Sequence, residues 1–185
     1  LDTAAIATHC GSANGYVVTW YGQESSGGTG SGNDAAQTTS GSQPQIYNGT
    51  AVITHNNKPA VEFLRNGYLS LTDTGATNTV CQIAVAEYDV SVTTNNMLMG
   101  SSNTFWQMYT NNNLRIQTAD GTRFRFGSLS NGDQYLGFVN GATGSYSTFI
   151  NGTSTGTANM GDWHIDVIGR GLNNSSFVMG GRAKE

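Results

Sequence analysis

The sequence predicts an all-β fold, a jelly-roll β-sandwich of two antiparallel sheets, with one short helix at the start of the chain. Three observations predict it. The dipeptide Asn-Gly occurs at 14, 48, 66, 131, 140 and 151, and both of its residues tolerate the positive φ that a type I′ hairpin turn needs. Short runs rich in β-branched and aromatic residues lie between these turns, and such residues fit a pleated surface. Within several runs apolar and polar residues alternate, as they must on a strand with one face in a core.

The opening segment is the one helix. Asp2 is a good N-cap, Thr3 to Cys10 can be helical, and Gly11 suits the left-handed position beyond the last turn. Leu1 and Ile6 stand where a hydrophobic staple would join them. Helical periodicity then disappears. Strands are expected near 16–21, 50–54, 60–64, 68–72, 79–88, 96–100, 104–110, 113–118, 122–127, 134–139, 146–150, 162–168 and 176–181, a number and spacing that suit a sandwich or jelly roll. "TVCQIAVAEY" at 79–88 is nearly apolar on both faces and belongs at the centre of a sheet. "NLRIQT" sets Leu114 and Ile116 against Arg115 and Gln117, and "RFRFG" sets Phe124 and Phe126 against Arg123 and Arg125. In "GDWHIDVIG", Trp163, Ile165 and Val167 share one face, opposite His164, Asp166 and Ile168. The Gly/Ser/Thr-rich stretch at 22–34 reads as a mobile rim connection of the sandwich, not as a linker between domains.

A chain of 185 residues with 37% apolar residues suits a single domain, 1–185, with a real core. The net charge is −4 with only eight Lys and Arg, so no electrostatic footprint for nucleic acid is expected. No apolar stretch approaches the ~20 residues of a membrane-spanning helix, and no membrane partner is expected. Cys10 and Cys81 are the only cysteines. Two could form one disulfide, but without CxxC spacing they are read first as buried free thiols, and His9–Cys10 alone is too little for zinc.

Several chemistries fail for want of residues. "SSGGTGSG" at 25–32 lacks the Lys and the following helix of a phosphate-binding loop. His9, His55 and His164 are the only candidate bases for a Ser/His/Asp triad, and none is near a Gly-x-Ser-x-Gly elbow. Glycosidases pair two carboxylates; the candidates are Glu24, Glu62, Glu87, Asp89, Asp120, Asp133, Asp162 and Asp166, and spacing does not say which two would converge. Calcium is a minor reading: oxygen ligands abound, but there is no Asp-x-Asp-x-Asp cluster, and no cofactor is expected. The sequons at Asn48, Asn151, Asn173 and Asn174 matter only in a eukaryotic secretory path. The best candidate is a sugar site. "NTFWQMYTNNNLRIQT" supplies Trp106, Gln107, Tyr109, Arg115 and Gln117, and Arg123 and Arg125 follow on the next strand. Aromatic planes against sugar rings with planar polar groups around them are the chemistry of carbohydrate recognition. The competing reading makes Trp106 core and the polar residues the wet face of a sheet. Strict alternation puts Phe105 and Trp106 on opposite faces.

"LDTAAIATHCG", "GYVVTWYGQ", "NDAAQTTSGSQPQIYNG" and "VITHNNKPAVEFLRNGYLSL" together resemble the front of the concanavalin A-like lectin/glucanase superfamily, the laminin-G-like jelly roll. The resemblance is to the version common in bacteriophage structural and tail proteins and, more distantly, to the catalytic domain of fungal arabinofuranosidases. "YSTFINGTSTGT" and "HIDVIGRGLNNSSFVMGGRAKE" resemble later segments of such domains, so the likeness spans the chain. There are two departures. Gly22 stands where relatives usually keep an Asp, and the loop after it is longer. The regions matching the arabinofuranosidase nucleophile and acid, 96–118 and 169–176, hold no carboxylate.

The resemblance therefore implies the fold and not the hydrolysis. The expected function is non-catalytic glycan binding, on a phage virion surface or in a secreted bacterial protein. Rings would stack on Trp106 or Tyr109, with hydrogen bonds from Gln107, Arg115, Gln117, Arg123 and Arg125. Single sites of this kind are weak and gain strength from many copies. The alternatives are a structural decoration or assembly module of a virion without ligand, and a glycoside hydrolase or lyase. The family's usual last strand is missing, so the chain is expected to be a fragment of a larger protein or to form a homo-oligomer.

Overall fold

A computed structural model describes residues 1–21, 34–55, 57–64, 66–71, 81–88, 96–100, 105–109, 113–117, 122–126, 129, 132–140, 145–159, 167–170 and 177–180. The chain opens with helix α1 (Thr3–Cys10) and continues through β1 (Asn14–Tyr16), β2 (Thr19–Trp20), β3 (Ala35–Ala36), β4 (Gln45–Asn48), β5 (Thr54–His55) and β6 (Lys58–Phe63). Then come β7 (Tyr68–Ser70), β8 (Cys81–Tyr88), β9 (Asn96–Gly100), β10 (Phe105–Tyr109), β11 (Asn113–Gln117) and β12 (Arg123–Phe126). The last strands are β13 (Gly132–Asn140), β14 (Ser145–Ile150), β15 (Thr153–Asn159), β16 (Val167–Arg170) and β17 (Phe177–Gly180).

The fold is all-β and antiparallel, with one short helix. One sheet runs β1-β4-β6-β17-β8-β13-β14-β15 with β5 attached to β6, and the other runs β12-β11-β10-β9-β16-β7-β3-β2. One hydrophobic cluster draws on both: Val61, Phe63, Ala84, Ala86 and Ile150 from the nine-stranded sheet, and Ala35, Leu69, Leu98, Leu114 and Ile116 from the eight-stranded one. β8 lies between β17 and β13, the central place that its apolar sequence predicts. The chain passes between sheets at Val17 and Val18. The Val17 N–H donates to the Pro44 carbonyl (2.8 Å), and the Val18 carbonyl accepts from the Gln37 N–H (2.8 Å).

The helix follows its sequence signals. The Ala5 N–H donates to Asp2 Oδ1 at 2.9 Å, and Gly11, at φ 59, donates its N–H to the Ala7 carbonyl at 2.9 Å. Leu1 is 75% exposed, so a staple to Ile6 buries little. Cys10 is a free thiol, but half-buried where full burial was expected; residues 79 and 80 before Cys81 lie outside the described residues.

The Asn-Gly pairs divide by context. Asn151 (φ 52) and Gly152 (φ 80) make the two-residue hairpin between β14 and β15, with Ile150 paired to Thr153. Asn48 turns the chain differently: its Oδ1 accepts the N–H groups of Thr50 (3.1 Å) and Ala51 (2.9 Å). Asn14-Gly15 is no turn at all. It lies in β1, paired with Asn48 and Tyr47, and Gly15 is needed because a Cβ there would lie 2.7 Å from Cys10 Sγ and 3.0 Å from Tyr47 Cβ. The pairs at 131 and 140 each have one residue outside the described residues.

Three strands escape the sequence reading: β3, β4 and β15. β15 reads TSTGTAN and lacks apolar alternation; Thr148, fully buried on β14, meets it through a hydroxyl pair with Thr155 at 2.7 Å. The strand expected at 162–168 is described only as β16, from Val167, with 161–166 outside the described residues. There Ile168, not Val167, pairs with buried Leu69. Residues 22–33, with the mobile rim expected at 25–32, also lie outside the described residues.

Candidate functional site

β10, β11 and β12 form one end of the eight-stranded sheet, with β12 at its edge. Leu114 and Ile116 are fully buried, so positions 113, 115 and 117 belong to the opposite face. Register carries both faces across neighbouring strands, because cross-strand partners share a face. Ile116 pairs with Trp106 and with Phe124, and Leu114 with Met108 and Phe126. On the other face Arg115 pairs with Gln107 and Arg125, Gln117 with Phe105 and Arg123, and Asn113 with Tyr109. Gln107 continues this row to Met97 on β9, and Met97 to Arg170 on β16. Arg170 pairs in turn with Tyr68 on β7.

Six of the seven sugar-site candidates therefore share one face: Gln107, Tyr109, Arg115, Gln117, Arg123 and Arg125. Trp106 stands apart in register, in the row of Ile116. Adjacent strand positions cannot share a face, and Phe105 takes the place in the polar rows. The site has a fixed centre and an open rim. Arg115 is 6% exposed, Asn113 and Gln117 are half-buried, and Arg123 and Arg125 are exposed. Arg123 Nε donates to Gln117 Oε1 at 2.9 Å, which orients a guanidinium and an amide side by side. A guanidinium keeps its charge at any physiological pH and presents a planar fork of donors.

Two features lie outside the sequence reading. Arg170 and Tyr68 join the Arg115 row only through the pairing of β9, β16 and β7, which are far apart in sequence and carry no local signal of that register. The second is a groove of about 800 Å³ beside β1 and β2, whose walls include Leu1, Ile6, Tyr16, Trp20 and Ala60. Tyr16, Trp20 and Tyr21 are 41%, 42% and 65% exposed. The apolar run "GYVVTWY" carried the signal, since a two-residue strand such as β2 has little sheet against which to bury so many large side chains.

Of the candidate carboxylates, Glu87 and Asp133 are direct cross-strand partners on β8 and β13. Glu62, half-buried on β6, pairs with Gln45 and Val178. Glu24, Asp89, Asp120, Asp162 and Asp166 lie outside the described residues. His9 is exposed on α1 and His55 half-buried on β5; His164 lies outside. Among the described residues no group of three or more His, Cys, Asp and Glu could hold a metal ion, and no helix is long and apolar enough to cross a membrane. No protein-family model, curated protein or solved structure matches the chain.

Proposed function

We propose that the chain is a non-catalytic carbohydrate-binding domain, built as a concanavalin A-like jelly roll, of a phage virion or a secreted bacterial protein. The observation that supports this reading is the shared face of Gln107, Tyr109, Arg115, Gln117, Arg123 and Arg125. Planar donors and acceptors stand there in adjacent rows at strand spacing, about 4.8 Å, opposite the rows of Leu114 and Ile116, with Arg123 and Arg125 exposed at the edge. Hydroxyl groups of a saccharide both donate and accept, so an array mixing amides and guanidinium groups can satisfy them. Ring stacking falls to Tyr109, whose register lies in the polar rows, and not to Trp106. Single-site affinity should be weak, about millimolar to micromolar, and copies on one particle would multiply it. A glycan array with the wild type and with Gln117→Ala/Arg123→Ala tests the reading. Retained saccharide hits that the double variant loses would support it; an array without hits would sink it. Release of reducing sugar from any hit would overturn the non-catalytic part.

The exposed groove favours a second reading, an assembly module without a saccharide ligand. Clustered exposed aromatics mark protein contacts more often than they stand idle. Light scattering on the wild type and Trp20→Ser/Tyr21→Ser separates the two. A wild-type oligomer that the double variant dissolves, together with a blank glycan array, would favour assembly.

A further inference from the structure

Charge is sorted between the two sheets. The strands of the eight-stranded sheet contain Arg115, Arg123, Arg125 and Arg170 and no Asp or Glu. The strands of the nine-stranded sheet contain Glu62, Glu87 and Asp133 with Lys58 as their one cation. The chain as a whole has eight Lys and Arg against twelve Asp and Glu, so its average charge would not lead one to expect four arginines and no acid within the described strands of one sheet. All four arginines fall in two neighbouring rows. Arg125, Arg115 and Arg170 share one, and Arg123 stands in the next. Counted in strand steps of about 4.8 Å, the Arg125 to Arg170 row spans on the order of 19 Å, the length of several sugar rings.

We propose that this face binds a uronic acid polysaccharide, a glycan with a carboxylate on its sugar rings. The proposal rests on the glycan reading above and names the ligand class for the same site. Arg123 and Arg125 are the exposed arginines of the edge strand β12, two residues apart on one face, close enough for one carboxylate to lie between them, while Arg115 is buried beside Arg125. The cations on these strands are all arginine, without lysine, and the planar guanidinium fork matches a planar carboxylate through two parallel hydrogen bonds. Gln107 and Gln117 stand between or beside the arginines in the same rows, suited to the hydroxyl groups between acid groups. Duplex nucleic acid fits less well. It carries one charge per ~1.7 Å of axis, and a protein of net charge −4 repels so dense a polyanion more than a glycan with one charge per ring.

The test is calorimetric titration of the wild type with polygalacturonate, alginate and hyaluronate. The comparison ligands are fully methyl-esterified polygalacturonate, dextran sulfate and duplex DNA. Arg123→Gln/Arg125→Gln removes two exposed charges, and Glu62→Gln on the other sheet serves as the control. Binding is expected to at least one polyuronate, weakened about tenfold or more by the double arginine variant, unchanged by the control, and weakened further as salt shortens the screening length. Unfolding midpoints matching the wild type keep folding out of the comparison. Equal binding of the methyl ester would overturn the charge proposal and leave the glycan reading standing. Tighter binding of dextran sulfate or DNA would overturn the commitment to carboxylates. No binding to any of the three polyuronates, with hits for neutral saccharides on an array, would sink the proposal alone; no binding to any saccharide would sink both readings.

Discussion

The two sheets are alike inside and unlike outside. Each gives fully buried side chains to one core, Phe63 from the nine-stranded sheet and Ile116 from the eight-stranded one. By register, the rows opposite the core rows hold arginines and amides on one sheet and Glu62, Glu87 and Asp133 on the other. Core faces must be apolar and well packed whatever a domain does. Packing does not dictate the sign of charge on the outer faces, so that difference points to what the molecule meets in solution. The largest expected effect tests the shared half of the comparison. Phe63→Ala should cost about 3–5 kcal/mol and Ile116→Ala about 2–5 kcal/mol, each read as a lower urea midpoint. Both should shift one common transition seen by circular dichroism and by tryptophan fluorescence. Two separable transitions, or a loss confined to one variant, would mean that the sheets do not share a single cooperative core.

Two glycines sharpen the comparison at smaller scale, because each is required for a different reason. At Gly15 the obstacle is space: a methyl group would press on Cys10 Sγ and on Tyr47 Cβ, where Tyr47 also donates its hydroxyl to the Gly11 carbonyl (3.1 Å). Gly15→Ala should destabilise by about 2–3 kcal/mol through this overpacking. At Gly152 the obstacle is backbone conformation: φ is +80 and nothing lies within 4 Å of a Cβ. Gly152→Ala should cost about 1 kcal/mol. The reverse order in thermal or urea midpoints would mean that the α1–β1 contact yields easily and the hairpin does not.

Local signals made much of this legible in advance. The Asp2 cap, the Gly11 stop, the Asn151-Gly152 hairpin and the central place of β8 each depend on residues close together in sequence. What stayed hidden depends on partners far apart. Nothing within residues 153–159 marks a strand, because its partner Thr148 is itself polar and is satisfied by Thr155. Asn14-Gly15 has the composition of a turn, but Tyr47 and Cys10 close around it and turn it into a strand. The candidate site shows the same division. Alternation within 113–117 and 123–126 put the arginines opposite the apolar residues, while only the register of β10 on β11 assigned Trp106 to the row of Ile116. Arg170 needed two further pairings to enter the site.

The smallest expected effect lies on the outer faces, and it separates folding from binding. Arg123 is exposed and makes one bond, to Gln117. Glu62 sits half-buried on the opposite sheet. Surface substitutions away from caps and cores usually change stability by less than about 0.5 kcal/mol, and exposed polar pairs add little because solvent screens them. Arg123→Gln should therefore leave the unfolding free energy from urea titration within that margin, and Glu62→Gln should do nearly the same. If Arg123→Gln instead lowered the unfolding free energy by more than about 1 kcal/mol, the Arg123–Gln117 bond would be holding the β12 edge in place. The polar rows would then serve the fold, and the difference between the two outer faces would lose its functional meaning.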